Sequence, residues 1–241
     1  MPGGAIRWQL DGGIARLFLT RAEKRNALRM ADWAEFAEAL DRIAASGAKA
    51  VIVGSDSAGV FSAGSDLGEL AGLARAEDQR TAFARAMDGV MTRLANGPLV
   101  SIAAISGACH GAGVAIAMAC NIRVTDAGSA FAIPPARFGI SYPIGDIRRL
   151  ERLVGPGQAA RLLYAAEQID AAEALRIGLV ELLVPDAAAR AEALAGQIAA
   201  NAADSLALLK RALAFETGDP ARDAQFIEGF ASADFRRFVE R

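Results

Sequence analysis

One histidine and two cysteines in 241 residues leave too few soft or imidazole ligands for a metal cluster. Cys109 and Cys120 both fall in an apolar stretch, which suits buried free thiols in a reducing compartment better than a disulfide. No lysine- or arginine-rich run occurs, and 26 basic residues against 28 acidic ones give a formal charge of −2. The electrostatic footprint of a nucleic-acid binder is therefore missing. In the opening segment, MPGGAIRWQLDGG, no basic stretch leads into an apolar core, so neither a secretory signal nor a transit peptide is read there and a cytoplasmic protein is expected. Repeats at solenoid periods are also absent.

What the chain does have is apolar content, 53% of it, enough for one substantial core with a small appendage. Much of that fraction is alanine, which adds little area per residue but lets helices and strands approach closely. Leu99 to Cys120 is a run of 22 residues without an ionised side chain, long enough on length alone to span a bilayer. Gly107, Gly111 and Gly113, with Ser101, Ser106 and His110, break it into a strand-like and a helix-like half, so a buried strand-turn-helix unit is expected and no membrane partner.

Strand and helix patterns alternate along the chain. Residues 14–20 (IARLFLT) read as a strand, the polar RAEKRNAL as a surface loop, and residues 31–44 as a helix. A short β run at 50–53 is broken by GSDSAG, and FSAGSDLGEL reads as a turn feeding a helix, with Ser65 or Asp66 as cap. Residues 99–105 form the next strand, passing through a glycine-rich turn into the helix VAIAMAC. Strands follow at 122–125 and 130–133, and Pro134-Pro135 opens a loop that runs through Pro143. From Glu151 onward the pattern is helical, at 158–165, 171–177 and 187–202, interrupted by VELLVP as an edge strand. An α/β core over 1–185 with a helical C-terminal region over 186–241 is the simplest architecture.

Two of these strands run into small-residue turns that open helices: FSAGSD at Phe61 to Asp66 and SGACHGAGVA at Ser106 to Ala115. The first N–H groups of a helix lack internal partners and carry the positive end of its dipole, so such a turn is a ready anion site where side chains are small. A dinucleotide-binding turn is the competing account of Gly111-Ala112-Gly113. It fails because Ile116 stands at the third glycine position and the unit lies mid-chain.

Taken together and in order, RAEKRNAL, FSAGSDLGEL, SGACHGAG and AARLLYAAEQIDAAEALRIGLVELLVP resemble the crotonase superfamily, the enoyl-CoA hydratase/isomerase family, over nearly the whole chain. The resemblance implies a spiral of βαβ units with a helical C-terminal extension for oligomerisation and lid functions, assembled as a homotrimer or a dimer of trimers. It implies an acyl-CoA substrate of the fatty-acid type, with coenzyme A entering only as part of the thioester and no permanently bound cofactor. Two main-chain amides polarise the thioester carbonyl in that family, and the positions matched here are Ala63 and Ala112. Each such preorganised donor contributes roughly 3–4 kcal/mol to the transition state. Lys24 and Arg25 match the CoA-binding loop, where they could meet phosphates or adenine, and Ser65 and Asp66 match the nucleotide end. Ala27, Ser62, Gly64, Leu67 and Gly111 complete the CoA and substrate lining by the same matching.

Hydratases of the family hold and deprotonate water with two glutamates, and those positions align with Ala115 and Pro135, neither of which carries a proton. Isomerase- or decarboxylase-type chemistry is therefore expected over ordinary hydration. Acid-base function is sought instead in the FGISYPIGDIRRL loop, at Tyr142 and Asp146. Tyr142 resembles the tyrosine that orients the departing carboxylate in methylmalonyl-CoA decarboxylases of the superfamily, and loss of CO2 needs enolate stabilisation without a general base. His110 precedes the second turn with a pKa suited to proton transfer, although a purely structural hydrogen bond is its alternative, as an ion pair with Arg148 or Arg149 is for Asp146. A non-catalytic acyl-CoA carrier, and a thioester or carbon–carbon bond hydrolase, are the competing functions. The SADF segment at 232–235 followed by RRFVER is shorter than the family's usual ending, which implies an altered lid.

Overall fold

The computed structural model of the protein describes residues 4–74 and 76–214. The closing SADF and RRFVER segments lie outside the described residues. Ten strands and eight helices follow one another as β1 (Ile6–Asp11), β2 (Ile14–Leu19), α1 (Met30–Ala45), β3 (Ala50–Ser55), β4 (Val60–Ser62), α2 (Leu67–Leu73), α3 (Glu77–Asn96), β5 (Val100–Ile105), β6 (Ala108–His110), α4 (Ala112–Ala119), β7 (Ile122–Thr125), β8 (Ala130–Ala132), α5 (Ile144–Tyr164), β9 (Gln168–Asp170), α6 (Ala171–Arg176), β10 (Leu182–Leu183), α7 (Ala187–Ala199) and α8 (Ala203–Ala214).

They form two sheets, ordered β1-β2-β3-β5-β7-β10 and β4-β6-β8-β9. Pairing is parallel except for the β1–β2 hairpin and the β8–β9 pair. Each turn of the chain lays one strand in the large sheet and the next in the small one, as β3 then β4, β5 then β6, and β7 then β8. The result is the spiral of βαβ units that the family resemblance implies. β3 and β5 are central and covered on both faces, which is why AVIV and SIAAI are apolar throughout and do not alternate.

One core lies between the sheets and the helices, where Trp33, Phe36, Leu40 and Ile43 of α1 meet Phe61, Met91 and Leu94. A second, smaller core forms where α7 lies on the opposite face of the large sheet. There Ala187, Ala191 and Ala195, spaced four apart on one helix face, pack against Ala50, Ile52, Ile102 and Val124. Alanine's small volume brings that helix close to the strands, as the composition suggested.

Several local expectations need correction. β1, β4, β6 and β9 were not anticipated, and each is short or lies at a sheet edge. Residues 144–150 are not loop, because α5 begins at Ile144 directly after Pro143, and its kink falls at Gly155 (φ 77), ahead of Pro156. The 22-residue uncharged run divides into β5, β6 and α4, and among the described residues no helix is long and apolar enough to cross a membrane.

Candidate active site

Both small-residue turns leave the same end of the small sheet, since β4 pairs in parallel with β6 through Val60↔Ala108 and Ser62↔Cys109. Their backbones touch. A Cβ placed on Gly64 (φ +97) would lie 2.8 Å from the His110 carbonyl oxygen and 3.0 Å from the Ala112 nitrogen, and one on Gly113 would lie 2.8 Å from the Ser62 carbonyl oxygen. Glycine at 64 and 113 is what lets one turn seat against the other.

The loop before β4 braces this arrangement. Asn26, fully buried, donates through Nδ2 to the Phe61 carbonyl (3.1 Å) and to Ser55 Oγ (2.7 Å), while its own carbonyl accepts from Ser62 Oγ (2.8 Å). Ser62 Oγ also accepts from the Gly64 N–H at 3.0 Å. Arg21 Nη1 donates to the Ala27 carbonyl (2.8 Å) and to Asp66 Oδ2 (2.9 Å). The Arg21 guanidinium holds the Asp66 carboxyl below the usual carboxylate range, and the same carboxyl caps α2 by accepting the Gly68 N–H at 3.0 Å. Arg21 and Asn26 were missed from the sequence, where they look like any polar residue of a surface loop.

Hydrogen-bond accounting decides which amides are open. The Ala63 N–H donates to the Arg25 carbonyl at 2.9 Å, so the first of the two expected oxyanion donors is already committed. Leu28 instead bridges Ser65, taking the Gly64 carbonyl at 2.7 Å and giving its own carbonyl to the Asp66 N–H at 2.9 Å. In such a parallel bridge the Ser65 N–H points away from Leu28. Among the described residues the Ser65 N–H meets no acceptor, and neither does the Ala112 N–H, the first of α4. Among the described residues Ser65 and Ala112 are thus open, as are the neighbouring helix-start amides Leu67 and Gly113, and the free donor nearest the position expected in the first turn lies two residues on from it.

Lys24 and Arg25 are exposed at the loop tip, with Arg25 in a left-handed conformation (φ 53). Leu67 is 59% exposed at the start of α2. Gly111 (φ 52) caps α4 and gives its carbonyl to the Val114 N–H at 2.9 Å and the Ala115 N–H at 3.2 Å. The Tyr142 hydroxyl donates to that carbonyl at 2.9 Å, and burial drives its pKa well above the ordinary phenol value, so it is no general base. Asp146 is buried in the first turn of α5 and receives Arg149 Nη1 at 2.6 Å; burial still raises its pKa. The scaffolding alternative weighed for Asp146 is the one its contacts favour. His110 Nε2 is buried with no partner among the described residues, and burial, aided by the Arg25 charge, lowers its pKa. Ala115 is fully buried in α4, and Pro135 opens a 3₁₀ turn over Pro135–Phe138.

Comparison with known proteins follows the same lines. The family model described as enoyl-CoA hydratase/isomerase matches residues 9–229. The echA6 protein of Mycobacterium tuberculosis, described as a probable enoyl-CoA hydratase, is 33% identical over 225 residues, covering 92% of this chain and 88% of the relative. A short-chain-enoyl-CoA hydratase of Clostridium acetobutylicum is 33% identical over 206 residues, covering 84% of this chain and 78% of its own. The crystal structure of an enoyl-CoA hydratase from Bacillus anthracis superposes with a TM-score of 0.89 at 26% identity, covering 98% of this chain and 95% of that one.

Proposed function

Since the chain belongs to the enoyl-CoA hydratase/isomerase family, within the crotonase superfamily, we propose that it binds an acyl-CoA thioester with its carbonyl oxygen between the Ser65 and Ala112 N–H groups and works through the enolate. The observation that carries this reading is the pair of uncommitted main-chain donors on two turns in van der Waals contact. Such donors stabilise the negative charge that develops on the oxygen as the α-carbon loses a proton or a carboxylate, and they need no reorganisation to do so.

The side chains near these amides favour isomerase- or decarboxylase-type chemistry over hydration. Ala115 and Pro135 supply no carboxylate, the Tyr142 hydroxyl is committed as a hydrogen-bond donor to the Gly111 carbonyl, and Asp146 is held by Arg149. His110 is the titratable group beside the turns whose ring nitrogen is unspent, and its lowered pKa keeps it in the neutral, proton-accepting form at neutral pH. Leu67, Phe138, Ile140 and Ile144 remain exposed and offer apolar surface to an acyl chain. Lys24 and Arg25, exposed at the loop tip, suit the phosphates of CoA. By family likeness, a trimer-based assembly over the 186–241 region belongs to the same proposal.

Calorimetry with acyl-CoA and free CoA, followed by turnover assays on enoyl-, malonyl-type and β-keto acyl-CoA, tests the reading. We expect binding and conversion of at least one of these classes. Tight binding with every assay silent would instead favour a non-catalytic acyl-CoA carrier, a reading that the lack of a carboxylate at Ala115 and Pro135 supports. No binding at all would end both.

A further inference from the structure

The carbonyl that Tyr142 contacts and the N–H proposed to hold the thioester oxygen are two ends of one peptide group, Gly111 C=O and Ala112 N–H. That carbonyl accepts three hydrogen bonds: from the Val114 N–H at 2.9 Å, the Ala115 N–H at 3.2 Å and the Tyr142 hydroxyl at 2.9 Å. Two of the three are ordinary consequences of starting a helix at Ala112. The third comes from a distant segment, the residue before Pro143 at the foot of α5, and its side chain is only 7% exposed.

A hydrogen bond to an amide oxygen draws electron density toward it and leaves the N–H of the same group more positive, so donors and acceptors in series strengthen one another. It also fixes the plane of the peptide. Here the plane needs fixing, because Gly111 at φ 52 and ψ −119 has no Cβ to restrict it. Burial keeps the phenol protonated far above neutral pH, so it stays a donor.

We propose that Tyr142 is a positioning residue for the thioester site, whose hydroxyl orients and polarises the Gly111–Ala112 peptide so that the Ala112 N–H is a stronger donor to an enolate oxygen than an ordinary helix-start amide. The proposal rests on the reading that Ala112 holds the thioester oxygen. It assigns the tyrosine no contact with substrate, in contrast to the carboxylate-orienting role expected from the sequence.

A chromophoric thioester such as 4-dimethylaminocinnamoyl-CoA reports carbonyl polarisation directly, through the red shift of its absorbance on binding. The intact protein should shift it, and Tyr142→Phe should shift it less while binding free CoA equally well. If the phenol contributes roughly 10–30% of the strength of a donor worth about 100- to 1,000-fold, the same variant should lower kcat about two- to eightfold with KM little changed. Replacing Tyr142 by a fluorotyrosine, a more acidic and hence better donor of nearly the same shape, should increase the shift, and that variant carries the test even if Tyr142→Phe fails to fold. Equal red shifts for the natural residue and the fluorotyrosine would overturn the proposal while leaving the two-amide site standing. No shift in the unaltered protein, despite binding, would remove the two-amide reading and this inference with it.

Discussion

The two ends of α4 are finished in opposite ways. At its start the Ala112 N–H is left open beside Gly64, although a helix buried on every side would normally have this donor satisfied. At its other end the capping carbonyl is closed: Arg123, only 4% exposed, donates Nη1 to the Cys120 carbonyl at 2.7 Å and pairs through Nη2 with Glu181. Glu181 in turn accepts the Arg123 main-chain N–H at 2.7 Å. Lys210 does the same for neighbouring chain ends, giving Nζ to the Leu94 and Leu99 carbonyls at 2.8 and 2.5 Å. Where stability alone is at stake the fold spends a buried cation on loose carbonyls; where it leaves a donor free, on a turn packed against a second turn that also carries a free donor, the omission marks function.

That contrast predicts a variant which damages one end and not the other. Ala112→Pro deletes the open N–H at the first position of a helix, the one place where proline is well accommodated. We expect turnover of the preferred acyl-CoA to fall about 100- to 1,000-fold, with the helix retained by circular dichroism and some loss of unfolding temperature from the ring carbon set against the Gly64 turn. Turnover within a few-fold of the natural protein would show that the open donor is not used, and the difference between the two ends would lose its functional meaning.

The converse variant is Arg123→Met, which keeps most of the apolar stem and removes the cap. Its loss leaves a buried carbonyl unsatisfied and Glu181 unpaired. Because the Glu181 side chain is 39% exposed, water recovers part of the cost, and a fall of about 1–3 kcal/mol in unfolding free energy is expected by denaturant titration. The red shift of a bound chromophoric thioester should survive. If that shift disappeared while the fold held, the two ends of α4 would be coupled and not independent.

How much of this was legible in advance differs between fold and site for a physical reason. β3, β5, β7 and α1 announce themselves because burial on two faces or on one helical stripe writes a local pattern of apolar residues. β4, β6 and β9 span three residues each, too short for any period to show. α5 hides its start behind Pro143 and Gly145, residues that usually signal loop. Within FSAGSD the sequence locates the turn but not the open amide. Ala63 and Ser65 look equivalent there, and the choice between them is made by Arg25 and Leu28, more than thirty residues away, whose carbonyls take the Ala63 and Asp66 protons. Tyr142 stands out in the sequence by its place in the FGISYPIGD loop, yet its partner, the Gly111 carbonyl, follows only from the packing of α5 against α4.

The smallest effect expected at the closed end is a pH dependence. Burial lowers the Lys210 pKa from 10.5 to about 8. Between those values the unfolded chain holds more protons than the folded one, so this residue makes stability rise with pH across the window. Below about 8 both states carry the charge and the full cost of burying the ammonium is present. Lys210→Met removes the titration, and the stability of the natural protein relative to the variant should therefore increase from pH 8 toward pH 10, as followed by denaturant unfolding at each pH. The buried Cys109 and Cys120 thiols and the Tyr142 phenol act with the opposite sign above their ordinary values of 9 and 10, since burial keeps each protonated when folded, but both proteins contain them and the difference between the two isolates Lys210. A flat difference across the window would mean that Lys210 keeps its proton when folded, held by the two carbonyls more strongly than burial opposes it.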